Sequence, residues 1–167
     1  MEENGVTCHF PPPPADDKIS SQVLTLITPD GERTFASFDE VARTMNFDDF
    51  NADILAKTSV LYLDGYCYCS PHTPESFICV AENARAAGNH AVFNVGDLSN
   101  YEANTAAIDK LLTVCDGVTC NMPEAEAFFG KHDSTETLIK EIAGRFTFGG
   151  VTDGQNGAYV FQHGQVA

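Results

Sequence analysis

Apolar and polar positions along the chain fall first into a hairpin pattern and then into a repeating strand–helix rhythm. Residues 22–28 are apolar and β-branched, 29–32 read Pro-Asp-Gly-Glu, and 33–35 resume an extended run. An Asp-Gly step between two such runs predicts a β-hairpin over 22–35. Phe47, Phe50, Ile54 and Leu55 lie near helical spacing and predict a short helix over 48–57. From Ser59 the pattern becomes regular, with strands predicted at 60–63, 91–94, 117–120, 148–152 and 158–161. Helices are predicted between them at 74–87, 101–112, 124–129 and 135–146. Pro74 falls in a first turn and Gly88 just past a last one, as helix start and stop chemistry requires. Ala103, Ala107, Ile108, Leu111 and Leu112 form one apolar stripe, and Ser134 is placed to cap a helix that turns Leu138, Ile139 and Ile142 inward.

Strand, helix, strand, helix, strand, helix, strand is the order of an α/β fold. It predicts a Rossmann-like parallel sheet with helices on both faces, because strands buried on both sides need not alternate. The hairpin precedes that layer as an appended small sheet. Residues 1–21 read as an irregular, proline-containing N-terminus, in which Pro11 to Pro14 favour an extended polyproline conformation and Asp16 and Asp17 go to solvent. The expected organisation is therefore 1–21 irregular, 22–35 hairpin and 36–167 α/β domain.

Composition narrows the function. At 167 residues, 43% hydrophobic and 20% charged, the chain can bury one domain's core. Its 24 acidic against 9 basic residues, net −15, repel phosphate backbones and disfavour nucleic-acid binding. A nucleotide is not disfavoured, since helix N-termini, backbone N–H groups and Mg²⁺ hold phosphates without net positive charge. No apolar run approaches the roughly 18 residues needed to span a bilayer, and the first residues lack a secretory pattern, so a cytoplasmic location is expected. The six cysteines contain no C-x-x-C pair; Cys67 and Cys69 would share a face of an extended segment, and Cys115 and Cys120 flank an apolar strand. They read as small buried thiols.

Ligands of an open parallel sheet collect at the carboxyl ends of its strands. Four ends carry polar or glycine-rich residues: 64–66, 95–100, 121–124 and 152–157. Asn121 and Glu124 have the spacing of a capping box, and equally of a pair that orients hydrated Mg²⁺ and phosphate. Thr152, Asp153, Gly154 and Gly157 fit either a tight hairpin turn or a close backbone approach to a ligand. The phosphate loop G-x-x-x-x-G-K-[ST] and a G-x-G-x-x-G after the first strand are both absent. The five histidines show no metal spacing, Ser70 and Ser99 have no identifiable base, and Asp97 lacks the partners of a phospho-accepting receiver.

Six segments in order resemble the ribokinase (phosphofructokinase-B, PfkB) family, nearest its adenosine-kinase-like branch. They are Asp30 to Thr34 (DGERT), Leu61 to Tyr66 (LYLDGY), Ala84 to Gly88 (ARAAG), Asn94 to Ser99 (NVGDLS), Asn121 to Ala125 (NMPEA) and Val151 to Ala158 (VTDGQNGA). The resemblance implies phosphoryl transfer from ATP to a hydroxyl of a sugar or nucleoside. It gives Asn121 and Glu124 the placing of Mg²⁺ and phosphates, and Thr152, Asp153, Gly154 and Gly157 the lining of the nucleotide. The hairpin, with Arg33 and Thr34, becomes a lid over the acceptor, and in this family lids often serve as homodimer interfaces.

Departures from the pattern bear on activity. The family's G-A-G-D segment, whose aspartate is the base, follows the VTdGxxGa hairpin, and the chain ends at Ala167 before it. The family's N-terminal strand, with its glycine and asparagine substrate motifs, is missing too. The chain therefore reads as a central portion of a kinase, not catalytic by itself, or else as a non-catalytic nucleotide-binding or regulatory module of the same fold.

Overall fold

The computed structural model describes residues 2–9, 19–38, 40, 41, 44, 46–69, 72–96 and 98–167, with side chains 2, 68, 69 and 98–104 outside the description. Pro11 to Pro14, Asp16, Asp17, Ser70 and Asp97 lie outside it, as do the side chains of Cys69, Ser99 and Ala103.

The hairpin forms as its pattern predicts. Strands β1 (Gln22–Ile27) and β2 (Arg33–Phe38) pair antiparallel, and β2 runs three residues beyond the expected Phe35. Their turn closes through Thr28 N–H to Glu32 O at 3.0 Å and Gly31 N–H to Thr28 O at 2.8 Å. Asp30 accepts hydrogen bonds from the Thr28 hydroxyl and the Glu32 N–H, which hold its carboxyl below the usual carboxylate range.

The predicted helix over 48–57 is instead a 3₁₀ turn, Phe47–Asp49, followed by α1 (Ala52–Lys57). Asparagine chemistry causes the break. Asn51 leaves helical geometry (φ −79°, ψ 112°) so that its Oδ1 can accept from Asp53 and Ile54 N–H.

The main layer runs β3 (Val60–Asp64), α2 (Thr73–Ala86), β4 (His90–Asn94), α3 (Leu98–Val114), β5 (Gly117–Asn121), α4 (Met122–Phe129), α5 (Thr135–Arg145), β6 (Phe148–Thr152), β7 (Ala158–Gln162) and β8 (Gln165–Val166). Its sheet order is β3-β4-β5-β6-β7-β8, the first four parallel and the last two added antiparallel. The two-residue β8 had no sequence signal. Cys67 lies in a 3₁₀ turn, Gly65–Cys69, so the extended segment expected around it is not formed. Ser134 caps α5 through its side chain, as its position suggested.

Register separates the two sheet faces. Leu63, Phe93, Val118, Cys120, Val151 and Phe161 share one face and one buried cluster with Phe77, Val80, Leu111, Ile139 and Ile142 from the helices. Phe93, Leu111 and Ile142 are fully buried, each stabilising the fold by about 1.5–3 kcal/mol. The other face carries Tyr62, Asn94, Thr119, Gly150 and Val160, none of them in the cluster. An α/β layer with an appended hairpin is thus observed. Among the described residues, however, the helices supply only one face. The strand order explains this: β3 to β6 add in one direction without reversal, and right-handed crossovers then place every connecting helix on the same side.

Candidate active site

Parallel pairing brings the carboxyl ends of β3, β4, β5 and β6 side by side on the open face. A polar ladder crosses three of them. Asp64 Oδ1 accepts from Tyr66 N–H at 3.1 Å and from Asn94 Nδ2 at 3.3 Å. Thr119 Oγ1 donates to Asn94 Oδ1 at 3.1 Å, which commits its hydroxyl proton, so the Tyr62 hydroxyl donates to Thr119 across 3.2 Å.

One strand pair further, Asn121 ends β5 in extended geometry (φ −94°, ψ 170°) and caps α4. Its Oδ1 accepts from Glu124 N–H at 2.9 Å. In return the Glu124 carboxylate accepts from Asn121 N–H at 2.8 Å and from its Nδ2 at 2.7 Å. Glu124 is 7% exposed, one of the few buried polar side chains among the described residues. Its charge also acts on Cys120: burial first, then the neighbouring carboxylate, push that thiol up to about 12. Cys120 is therefore a packing residue and not a nucleophile. Beneath Tyr66, a Cβ on Gly65 would stand 2.0 Å from Val95 O, so only glycine lets β3 turn against β4 here.

Two cavities meet at this pair. One, of about 400 Å³, lies along the sheet ends between Tyr62, Asn94, Thr119, Thr152 and Val160. The other, of about 660 Å³, lies beneath the hairpin, whose Val23, Phe35 and Ser37 face Tyr66 across it. Asn121, Glu124, Tyr66 and Gly96 line both. A concavity of about 710 Å³ at the far end of β6 and β7 is lined by Phe148, Val160, Phe161 and Val166 with no acidic side chain.

The residues singled out from sequence divide accordingly. Asn121, Glu124 and Thr152 line the sheet-end cavity. Asp153, Gly154 and Gly157 form the turn just beyond it, closed by Asp153 N–H to Gly157 O at 2.8 Å. Gly154 (φ 52°) and Gly157 (φ 102°) are required by backbone conformation, since an added Cβ would meet nothing within 4 Å at either. Arg33 shares the cavity-facing side of the hairpin with Val23 and Phe35, whereas the register places Thr34 on the opposite side with Leu24 and Leu26. From sequence none of Tyr62, Asn94 and Thr119 carried a site role, although Tyr62 and Asn94 fall within the LYLDGY and NVGDLS segments. Their signal is the two-residue strand period, which turns them away from the core.

Among the described residues no three His, Cys, Asp or Glu side chains gather as a metal cage. One buried carboxylate, held by the Asn121 amide nitrogen, with the amide oxygen over the Glu124 N–H, offers few oxygen ligands, which suits a hard cation that keeps most of its water, as Mg²⁺ does. No helix among the described residues is long and apolar enough to cross a membrane.

Comparison with known proteins gives this geometry a family. The model of the pfkB family of carbohydrate kinases matches residues 1–167, and the chain belongs to that family. Among solved structures it is similar to a probable sugar kinase from Rhizobium etli CFN 42 (23% identity, TM-score 0.79) and to an adenosine kinase from Sinorhizobium meliloti (20%, 0.79). Both alignments cover 88% of this chain and 45% of the other. A candidate ribokinase II from E. coli, solved in complex with ATP and Mg²⁺, is similar at 15% identity with a TM-score of 0.71, covering 87% of this chain and 48% of the other. The chain thus spans somewhat less than half the length of these relatives. Among curated proteins no sequence matches it significantly.

Proposed function

We propose that this chain forms the nucleotide-side portion of an ATP-dependent kinase that phosphorylates a hydroxyl of a sugar or nucleoside. The observation that carries the reading is the shared wall: Asn121 and Glu124 line both the sheet-end cavity and the cavity beneath the hairpin. A donor phosphate in the first and an acceptor hydroxyl in the second would meet at that pair. Positioning is most of what phosphoryl transfer asks of a protein.

In this reading Asn121 and Thr152 hold the phosphates, the turn at Asp153, Gly154 and Gly157 borders the rest of the nucleotide, and Glu124 orients the hydration shell of Mg²⁺. The metal, when bound, neutralises charge on the transferring phosphoryl group. The oxygen–phosphorus bond to ADP breaks as the bond to the acceptor oxygen forms, and the acceptor proton passes to the aspartate of the family's G-A-G-D segment, expected beyond Ala167. The hairpin, with Arg33 on its inner side, closes over the acceptor and excludes water. Its outer side, where Leu24 and Leu26 are exposed, is the surface proposed for a homodimer; light scattering of Leu24→Asp should then show a monomer.

The test is ADP release by the full-length polypeptide containing this chain, with adenosine, ribose and fructose as acceptors and Mg-ATP as donor. Turnover with at least one acceptor, reduced at least about tenfold by Asn121→Ala, is expected, since a hydrogen bond to a charged group contributes about 1.5–3 kcal/mol. A full-length protein that binds Mg-ATP and turns over none of them would leave a nucleotide-binding module of the same fold.

A further inference from the structure

Of the asparagines in the chain, only Asn4 and Asn156 are followed by glycine, in the steps Asn4-Gly5 and Asn156-Gly157. The step matters because the backbone nitrogen of the next residue can attack an asparagine side chain and close a five-membered ring. A side chain on that next residue hinders the approach, and glycine carries none. Asn156 and Gly157 are both exposed, at the end of the turn that joins β6 to β7. A Cβ added to Gly157 would meet nothing within 4 Å, so no neighbouring group crowds the step. The bonds that restrain it are long. Gly157 N–H donates to Gly154 O at 3.2 Å, and Asn156 Nδ2 donates to Asp153 Oδ2, also at 3.2 Å. By contrast Asn51, Asn94 and Asn121 cap helices or join strands, and they precede alanine, valine and methionine.

We propose that Asn156 is a modification site that converts itself to aspartate or isoaspartate, and that the conversion weakens nucleotide binding at the turn. The Gly157 nitrogen attacks Asn156 Cγ. The new nitrogen–carbon bond forms as the Cγ–Nδ2 bond breaks, and Nδ2 leaves as ammonia with the proton from Gly157. Water then opens the ring: its hydroxyl stays on the carbon attacked, and its proton returns to the Gly157 nitrogen. Cleavage of the new bond gives aspartate, and cleavage of the original peptide bond gives isoaspartate. Either product adds a carboxylate within the turn, where an amide had donated to Asp153, and the two like charges repel. Isoaspartate also lengthens the main chain inside a turn closed by Asp153 N–H to Gly157 O at 2.8 Å. Thr152 and Ala158, on either side of that turn, line the sheet-end cavity. Resting on the kinase reading above, the added negative charge stands at the mouth of the nucleotide groove and opposes a phosphate there.

The experiment is peptide mapping by mass spectrometry of the 167-residue chain incubated at 37 °C, with the Mg-ADP affinity of each sample measured by calorimetry. The peptide carrying Asn156 should exchange an amide for an acid as incubation proceeds, with one labelled oxygen entering when the water is isotopically heavy. The exchange should be faster at pH 8 than at pH 6, because the Gly157 nitrogen must give up its proton. Asn4 should convert as well and reports that the conditions suffice. Asn156→Gln, whose ring would need six members, should leave that peptide unchanged and bind Mg-ADP as wild type does. Asn156→Asp should bind Mg-ADP at least about threefold more weakly, the effect of one unit charge near an anion at a protein surface. Asn156 remaining intact while Asn4 converts would overturn the modification site. So would conversion of Asn94 and Asn121 at the same rate, which marks unfolding and not a reactive turn. Asn156→Asp binding Mg-ADP as tightly as wild type would overturn the effect on the nucleotide. A wild-type chain that binds no Mg-ADP would remove the kinase reading and that effect together, and the peptide map would still decide the modification.

Discussion

Replacing Glu124 by alanine separates the two roles that Asn121 and Glu124 can play, because the roles have different magnitudes and different readouts. The carboxylate accepts two hydrogen bonds, at 2.8 and 2.7 Å, from the backbone and side chain of Asn121. Truncation removes both. The reciprocal bond, Glu124 N–H to Asn121 Oδ1 at 2.9 Å, uses backbone and survives. Half a capping box is therefore lost, at a cost of about 1–2 kcal/mol. For a domain of this size each kcal/mol moves the melting temperature by about 2–4 °C, so Glu124→Ala should lower Tm by about 2–8 °C.

The ligand-induced shift is a second and independent quantity. A ligand at a hundred times its Kd stabilises the folded state by about 2.7 kcal/mol, which is about 5–11 °C here. Wild-type protein melted with ADP and excess Mg²⁺ should show that shift, and melted with ADP and EDTA a smaller one. If Glu124 orients hydrated Mg²⁺, the Mg²⁺-dependent part vanishes in Glu124→Ala. Ser134→Ala provides the control: Ser134 Oγ accepts from Thr137 N–H at 3.2 Å, so its loss costs a similar cap on α5, remote from the cavities. It should lower Tm comparably and keep the full Mg-ADP shift. A Glu124→Ala protein that melts lower yet keeps the Mg²⁺-dependent shift would show that the pair is a helix cap and nothing more.

Further measurements test the frame around the site. Gly65→Ala places a Cβ 2.0 Å from Val95 O and 2.6 Å from Asn94 O, both backbone atoms of β4 or its end, and should cost about 3 kcal/mol or more in denaturant unfolding. Gly144→Ala, in an exposed position of α5 with nothing within 4 Å, should instead stabilise by about 0.5–1 kcal/mol. The Glu141 carboxylate, 2.6 Å from His132 Nε2, and the Gly130 carbonyl raise the His132 pKa above its ordinary value. A raised folded-state pKa adds stability below about pH 6.5, and that stability is lost as pH rises through the folded value. His132→Gln should therefore destabilise more at pH 5.5 than at pH 8 in parallel thermal melts. Burial pushes both the Cys115 and Cys120 thiols up to about 12, so a Cys115→Ser, Cys120→Ser protein should show the same rapid reaction with a disulfide reagent at pH 8 as wild type.

What could be read from sequence was what is local. Strands 60–63 and 117–120, the helix opened by Pro74, the Ser134 cap and the Asp-Gly hairpin each follow from a few adjacent residues, and the structure forms all of them. The helix over 48–57 failed for an equally local reason, because Asn51 competes for the backbone N–H groups that a continuous helix would use. Asn121 and Glu124 were visible as a pair but not as a cap or a site, since the same three hydrogen bonds serve either.

Register across strands was beyond reach. Tyr62, Asn94 and Thr119 each read as an ordinary strand residue, and their hydrogen bonds exist only because Asp64 pairs with Asn94 and Asn94 with Thr119. A slip of one residue in either pairing would turn Thr119 or Asn94 into the helix-covered face and break the ladder. That the helices cover only one face among the described residues has the same origin. Whether a strand joins the growing edge of a sheet or starts back from its other side is not written in the strand, yet it decides which face the next helix covers. Here β4, β5 and β6 all join the growing edge, so among the described residues no helix covers the face bearing the ladder. The polar residues at the carboxyl ends of β3, β4 and β5 thereby become a cavity wall instead of core.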